Sequence, residues 1–83
     1  MPVVTAQVSL YPLRQEHLTP AIEALRSAFE QRGLEAEVGA MSTLVSGESE
    51  SLFVALRKGF ERAAATGGVV MTVTISNACP VNR

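Results

Sequence analysis

An α+β sandwich with the element order β-α-β-β-α-β is predicted by three observations. Residues 3–11 and 69–77 alternate along the chain with period two, the mark of strands covered on one face. Residues 19–32 and a second stretch from Gly47 or Glu48 to Ala65 instead place apolar side chains at helical spacings. Breakers fall between these stretches: Pro12 and Pro80 where strands should end, Gly33 and Thr66-Gly67-Gly68 where helices should stop.

The first strand sets Val4, Ala6, Val8 and Leu10 against Val3, Thr5, Gln7, Ser9 and Tyr11, so one face is apolar and the other polar. A short connection, residues 13–18, leads to Thr19-Pro20, where Thr can cap a helix and Pro fits its first turn. The helix that follows repeats Leu18, Ile22, Leu25 and Phe29 at spacings of four, three and four, and turns Glu23, Arg26, Glu30 and Arg32 outward. Leu34, Ala36, Val38 and Ala40 then alternate with Glu35, Glu37 and Gly39. This reads as an edge strand, because acidic side chains on the outer face discourage pairing with another edge.

A third strand is expected over residues 41–46, after a turn near Gly39 to Ser42. Its register stays open, since Met41/Thr43/Val45 and Ser42/Leu44/Ser46 are both mixed sets. In the second helix, Ser46 or Ser49 can act as cap, and Glu48 and Glu50 suit the positive end of the dipole, with Arg57, Lys58 and Arg62 in later turns. Its apolar stripe reads Leu52, Phe53, Leu56, Phe60, Ala63 and Ala64. The last strand puts Val69, Met71, Val73 and Ile75 on one face and Val70, Thr72, Thr74 and Ser76 on the other.

This order is the split βαβ of a ferredoxin-like sandwich, a four-stranded antiparallel sheet with two helices on one face. Right-handed crossovers place the first and third strands at the centre and the fourth beside the first. Thr5, Gln7 and Ser9 should then adjoin Thr72, Thr74 and Ser76, forming a hydroxyl and amide band on the face that the helices leave open. Polar yet nearly uncharged, that band suits association with another subunit's sheet, although antiparallel sheets also carry ordinary polar outsides.

At 83 residues the chain is read as a single domain, residues 1–83, whose small core invites completion by oligomerisation. A mean hydropathy of +0.22 without a membrane-length apolar run points the same way. The net charge of −1 and dispersed basic residues give no electrostatic reason for nucleic acid binding. A cytoplasmic address is expected, as the N-terminus lacks a basic region and a cleavage pattern.

Catalytic and metal chemistry find little to work with. His17 has no partner identifiable by spacing and reads as an exposed loop histidine. Cys79, the single cysteine, has nothing beside it to lower its pKa and reads as a semi-buried thiol. Neither a catalytic residue nor a metal site nor a cofactor is expected, and the chain is read as no enzyme. At the strand-to-helix junction Ser46-Gly47-Glu48, the glutamate would repel phosphate, so a neutral or cationic ligand fits better. The plain reading of Glu48 and Glu50 is compensation of the helix dipole, and that of Ser42, Thr43 and Ser46 is strand termination and capping.

Three blocks, AQVSLYPL from Ala6, MSTLVSGESESLF from Met41 and VVMTVTISNACP from Val69, resemble the thiamine-binding, YkoF-like family in order and spacing. The resemblance implies domains that pair through their sheets, as tandem repeats or as single-domain dimers and tetramers, so a homodimer or homotetramer is expected here. It also implies non-catalytic binding of thiamine or its hydroxymethylpyrimidine moiety. Carried onto this sequence, it favours a pocket lined by Ser9, Tyr11 and the segment Met41, Ser42 and Thr43, with Ser76 and Asn77 approaching from the next strand or subunit. Hydroxyls and an Asn amide match the donors and acceptors of an aminopyrimidine, Tyr11 or Phe53 could stack on the ring, and Glu48 could neutralise a thiazolium. The alternative is a structural or regulatory oligomerisation module with no small-molecule ligand.

Overall fold

The structure, a computed structural model, describes residues 3–13, 19–39, 41–65 and 67–78. Its elements are β1 (Val3–Pro12), α1 (Thr19–Gln31), β2 (Glu35–Val38), β3 (Thr43–Glu48), α2 (Ser49–Ala64) and β4 (Val69–Ser76). The strands form one antiparallel sheet in the order β2-β3-β1-β4, so β3 and β1 are central as the crossover rule requires. This is the expected ferredoxin-like sandwich. Leu18, His17, Ala40, Cys79 and Pro80 lie outside the described residues.

The core sits between the inner sheet face and the two helices. Val4, Ala6, Val8 and Leu10 of β1 are all buried, which is the period-two pattern turned into packing. Against them α1 buries Ala21, Leu25, Ala28 and Phe29. Val69, Met71 and Val73 of β4 pack on the margin of this core, and Ile75 is more exposed because the helical cover runs out along that edge strand. Gly33 ends α1 with a φ of 71°, the left-handed stop that a side chain would resist.

The helix α2 departs from expectation in its phase. It buries Leu52, Ala55, Leu56, Gly59 and Ala63, whereas Phe53 is 55 % exposed, Phe60 38 % exposed, and Ala64 points outward. The cause lies in the approach of the two helices. A Cβ on Gly59 would stand 2.7 Å from Leu25 Cδ1 and 3.4 Å from Leu25 Cα, so the helices meet across a glycine. Small residues must face α1 there, and the bulky phenyl rings are rotated to the flank.

The third strand also shifts, from the expected 41–46 to Thr43–Glu48. Gly39 N–H donates to the Ser42 carbonyl at 2.8 Å, which leaves Met41 in the hairpin turn, while pairing with β1 continues as far as Glu48 opposite Val3. The register left open by the sequence is settled by pairing: Thr43 opposite Val8 and Val45 opposite Ala6 face the core, and Leu44 and Ser46 face out. Gly47 fits this inward row because any Cβ there would run into the Leu34 side chain. The second strand is likewise shorter than expected, Glu35–Val38, with buried Leu34 just ahead of it.

Neither serine caps α2. Glu48 is its N-cap and makes no side-chain capping bond, because Ser46 is still in the strand, sharing a 3.1 Å hydrogen bond with Thr5, and Ser49 is already helical. On the outer sheet face, Thr5 lies opposite Ser76, Gln7 opposite Thr74 and Ser9 opposite Thr72, the band expected from the alternation.

Candidate functional site

A cavity of about 310 Å³ opens between the start of α1, the second half of β1 and the β2–β3 turn. Each wall comes from a different stretch of chain. Val8 and Leu10 supply part of its apolar floor, because the inward row of β1 continues past the point where α1 covers it, and Val38 extends that floor from β2. Thr19, Ile22 and Glu23 form the roof, their spacing of three and four placing them on one face of the first turns of α1. Gly39, Met41 and Ser42 close the third side at the turn.

The chemistry of this lining is mixed. The Thr19 hydroxyl can donate and accept, and Glu23 supplies an acceptor carboxylate, while the Ser42 hydroxyl is engaged by Gln7 on the other side of the sheet. Among the described lining residues Glu23 is the single ionisable side chain. Its side chain is 55 % exposed, at the mouth rather than in the depth of the cavity. Arg26 Nη2 donates to Glu23 Oε1 at 2.5 Å, and Arg26 Nη1 donates to Glu30 Oε2 at 2.5 Å, so one guanidinium pairs with both carboxylates along this exposed face of α1. The hydrogen bond that Arg26 donates to Glu23, then the charges of Glu23 and Glu30, raise the Arg26 pKa above its ordinary value.

The residues expected to form one site divide in this structure. Met41 and Ser42 line the cavity. Ser9 and Tyr11 stand at the same end of the sheet but on its outer face; the Ser9 hydroxyl donates to the Met41 carbonyl at 3.5 Å, and Gln7 Nε2 donates to Ser42 Oγ at 3.2 Å, bracing the turn from behind. Thr43 is only 3 % exposed and faces the core opposite Val8, so it and Ser42 point to opposite sides of the sheet.

The others are remote from the cavity. Glu48 pairs with Val3 at the far end of β3, six residues from Ser42, or roughly 20 Å at about 3.3 Å per residue. Ser76 lies opposite Thr5 near that same end, its hydroxyl accepting a 2.9 Å bond from Ala78 N–H, and Asn77 follows it. Phe53 is on the exposed flank of α2. The reason is topological: β3 runs antiparallel to β1, so every residue along it moves away from the turn that bounds the cavity. Glu23, expected only to face solvent, was the residue most easily missed; the sign available in the sequence is its i,i+4 spacing from Thr19.

Among the described residues, no group of three His, Cys, Asp or Glu side chains is placed to hold a metal ion, and no helix is long and apolar enough to cross a membrane. Several solved structures share this fold. A hypothetical protein of Methanocaldococcus jannascii is 23 % identical with a TM-score of 0.83, covering 92 % of this chain and 80 % of its own. A domain of unknown function from Bacillus cereus is 21 % identical with a TM-score of 0.77, covering 98 % of this chain and 83 % of its own. A candidate thiamine biosynthesis/salvage protein of Thermotoga maritima is 22 % identical with a TM-score of 0.75, covering 89 % of this chain and 82 % of its own. No curated protein matches the sequence. The sequence profile of the YKOF-related family, however, matches residues 3–82, and the chain belongs to that family.

Proposed function

We propose that this chain is a non-catalytic binding protein for thiamine or its hydroxymethylpyrimidine moiety, acting in the cytoplasm as a homodimer or homotetramer. The observation that carries the reading is the cavity itself. At about 310 Å³ it stands at the small end of the roughly 300–1,000 Å³ typical of ligand pockets, a size suited to a single substituted ring. Its apolar floor of Val8, Leu10 and Val38 can receive a ring face, and Thr19 offers a hydroxyl to a ring nitrogen or to the ligand's own alcohol. Family membership and the thiamine-related designation of the Thermotoga maritima protein support the same ligand class.

Calorimetric titration tests this directly. The purified protein is expected to release or absorb heat with thiamine or with the free pyrimidine alcohol, saturating at one ligand per chain. Absence of heat with both ligands at high micromolar concentration, on protein with a cooperative melt, would overturn the reading.

A second reading, an oligomerisation module without a ligand, is favoured by the outer sheet face. There Leu44 is 47 % exposed beside the hydroxyl and amide side chains of Thr5, Gln7 and Ser9, and Val3 and Tyr11 are exposed at the margins. Such a surface suits another sheet. Sheet pairing does not by itself exclude a ligand, since the cavity opens on the helical side and the band on the other, so the titration decides between the two readings.

A further inference from the structure

We infer that Glu23 determines the specificity of the cavity by accepting a hydrogen bond from an exocyclic amine on a heterocyclic ligand, so that the site takes aminopyrimidines and rejects their oxo analogues. This rests on the binding reading above and deepens it.

Three observations converge on Glu23. It is the ionisable side chain of the described lining, placed on the roof with Thr19, across from Ser42. One of its oxygens, Oε1, already accepts from Arg26, and among the described residues the other accepts from none, which leaves an oxygen available. Arg26 engages Oε1 from the next turn of the same helix, so one oxygen stays occupied within α1 while the other remains for a ligand. A deprotonated carboxylate accepts hydrogen bonds and cannot donate them. An exocyclic N–H therefore satisfies it, and a carbonyl oxygen at the same position would face a negative oxygen with no proton between them. The neighbouring Thr19 hydroxyl imposes no such choice, because it can donate or accept.

The competing explanation is that Arg26 with Glu23 and Glu30 merely decorates an exposed helix face, as pairs at i,i+3 and i,i+4 commonly do. The two glutamates separate the ideas. Each contributes one arm to the same arginine, but only Glu23 lines the cavity.

The experiment is calorimetric titration of the wild type, Glu23→Gln and Glu30→Gln with hydroxymethylpyrimidine and with its oxo analogue, alongside thermal melts of all three proteins. The wild type is expected to prefer the amine by about tenfold or more, the discrimination that charge-assisted hydrogen bonding can supply. Glu23→Gln should weaken amine binding by about tenfold and bring the amine-to-oxo ratio close to one, since an amide can turn either its oxygen or its nitrogen to the ligand. Glu30→Gln should stay within about twofold of the wild type, as the lost pair is exposed and remote from the cavity. A wild type that binds the amine while Glu23→Gln keeps the same affinity and ratio overturns the role of Glu23 and leaves the binding reading standing. A wild type that binds neither hydroxymethylpyrimidine nor thiamine overturns both.

Discussion

Single residues set tolerances in this fold that composition does not reveal. Gly59 is the clearest case, because it is buried at the point where α2 meets Leu25 and Ala28 of α1. Gly59→Val should destabilise the protein by about 1–3 kcal/mol in a chemical denaturation experiment, as the new side chain overpacks the helix contact. The small gain in helix propensity over glycine, a few tenths of a kcal/mol, does not offset that. Glu23 shows why site residues are harder to recognise than packing residues. A charged residue on an amphipathic helix is read as solvent-facing, and only the placement of the β2–β3 turn beside it gives it a cavity to serve.

At the scale of elements, the alternating strands were legible and the phase of α2 was not. In β1 and β4 the two faces differ sharply in polarity, so hydrophobic period alone assigns them. In α2 the apolar residues span more than one face, and periodicity admits either the line through Phe53 and Phe60 or the line through Ala55 and Gly59. Packing against α1 decides for the second. The consequence is measurable: Leu52→Ala should cost about 2–5 kcal/mol, whereas Phe53→Ala should cost far less than its size suggests, below about 1 kcal/mol, because its ring already meets water. Equal losses in the two variants would contradict the burial pattern. The β3 register was illegible for a related reason, both of its faces being mixed, and partnership with β1 resolved it.

For the whole molecule, the outer sheet face is the feature that a lone subunit leaves unused. A chain of 83 residues buries a modest share of its surface, about 60 % for a domain of this size, and a second sheet laid across the Thr5, Gln7, Ser9, Thr72 and Thr74 band would add to it. Thr72 is exposed in the single subunit, so Thr72→Arg should leave the fold intact and place a charge in the centre of the band. Sedimentation is expected to show an oligomer for the wild type and a lighter species for Thr72→Arg. A monomeric wild type, or an unchanged variant, would exclude assembly through this face.

The sequence by itself determined the order of elements, the antiparallel sandwich, the central position of β1 and β3 and the polar band, because these follow from local period, breakers and the handedness of connections. Only the tertiary structure decided which residues share a site. Val8, Thr19, Glu23, Val38 and Ser42 belong to separate stretches whose meeting depends on where the inward row of β1 outruns α1 and where the hairpin turn closes over it. The same geometry turned Thr43 into the core and carried Glu48 to the far end of the sheet, since in a strand each step reverses the face and moves the side chain about 3.3 Å further along.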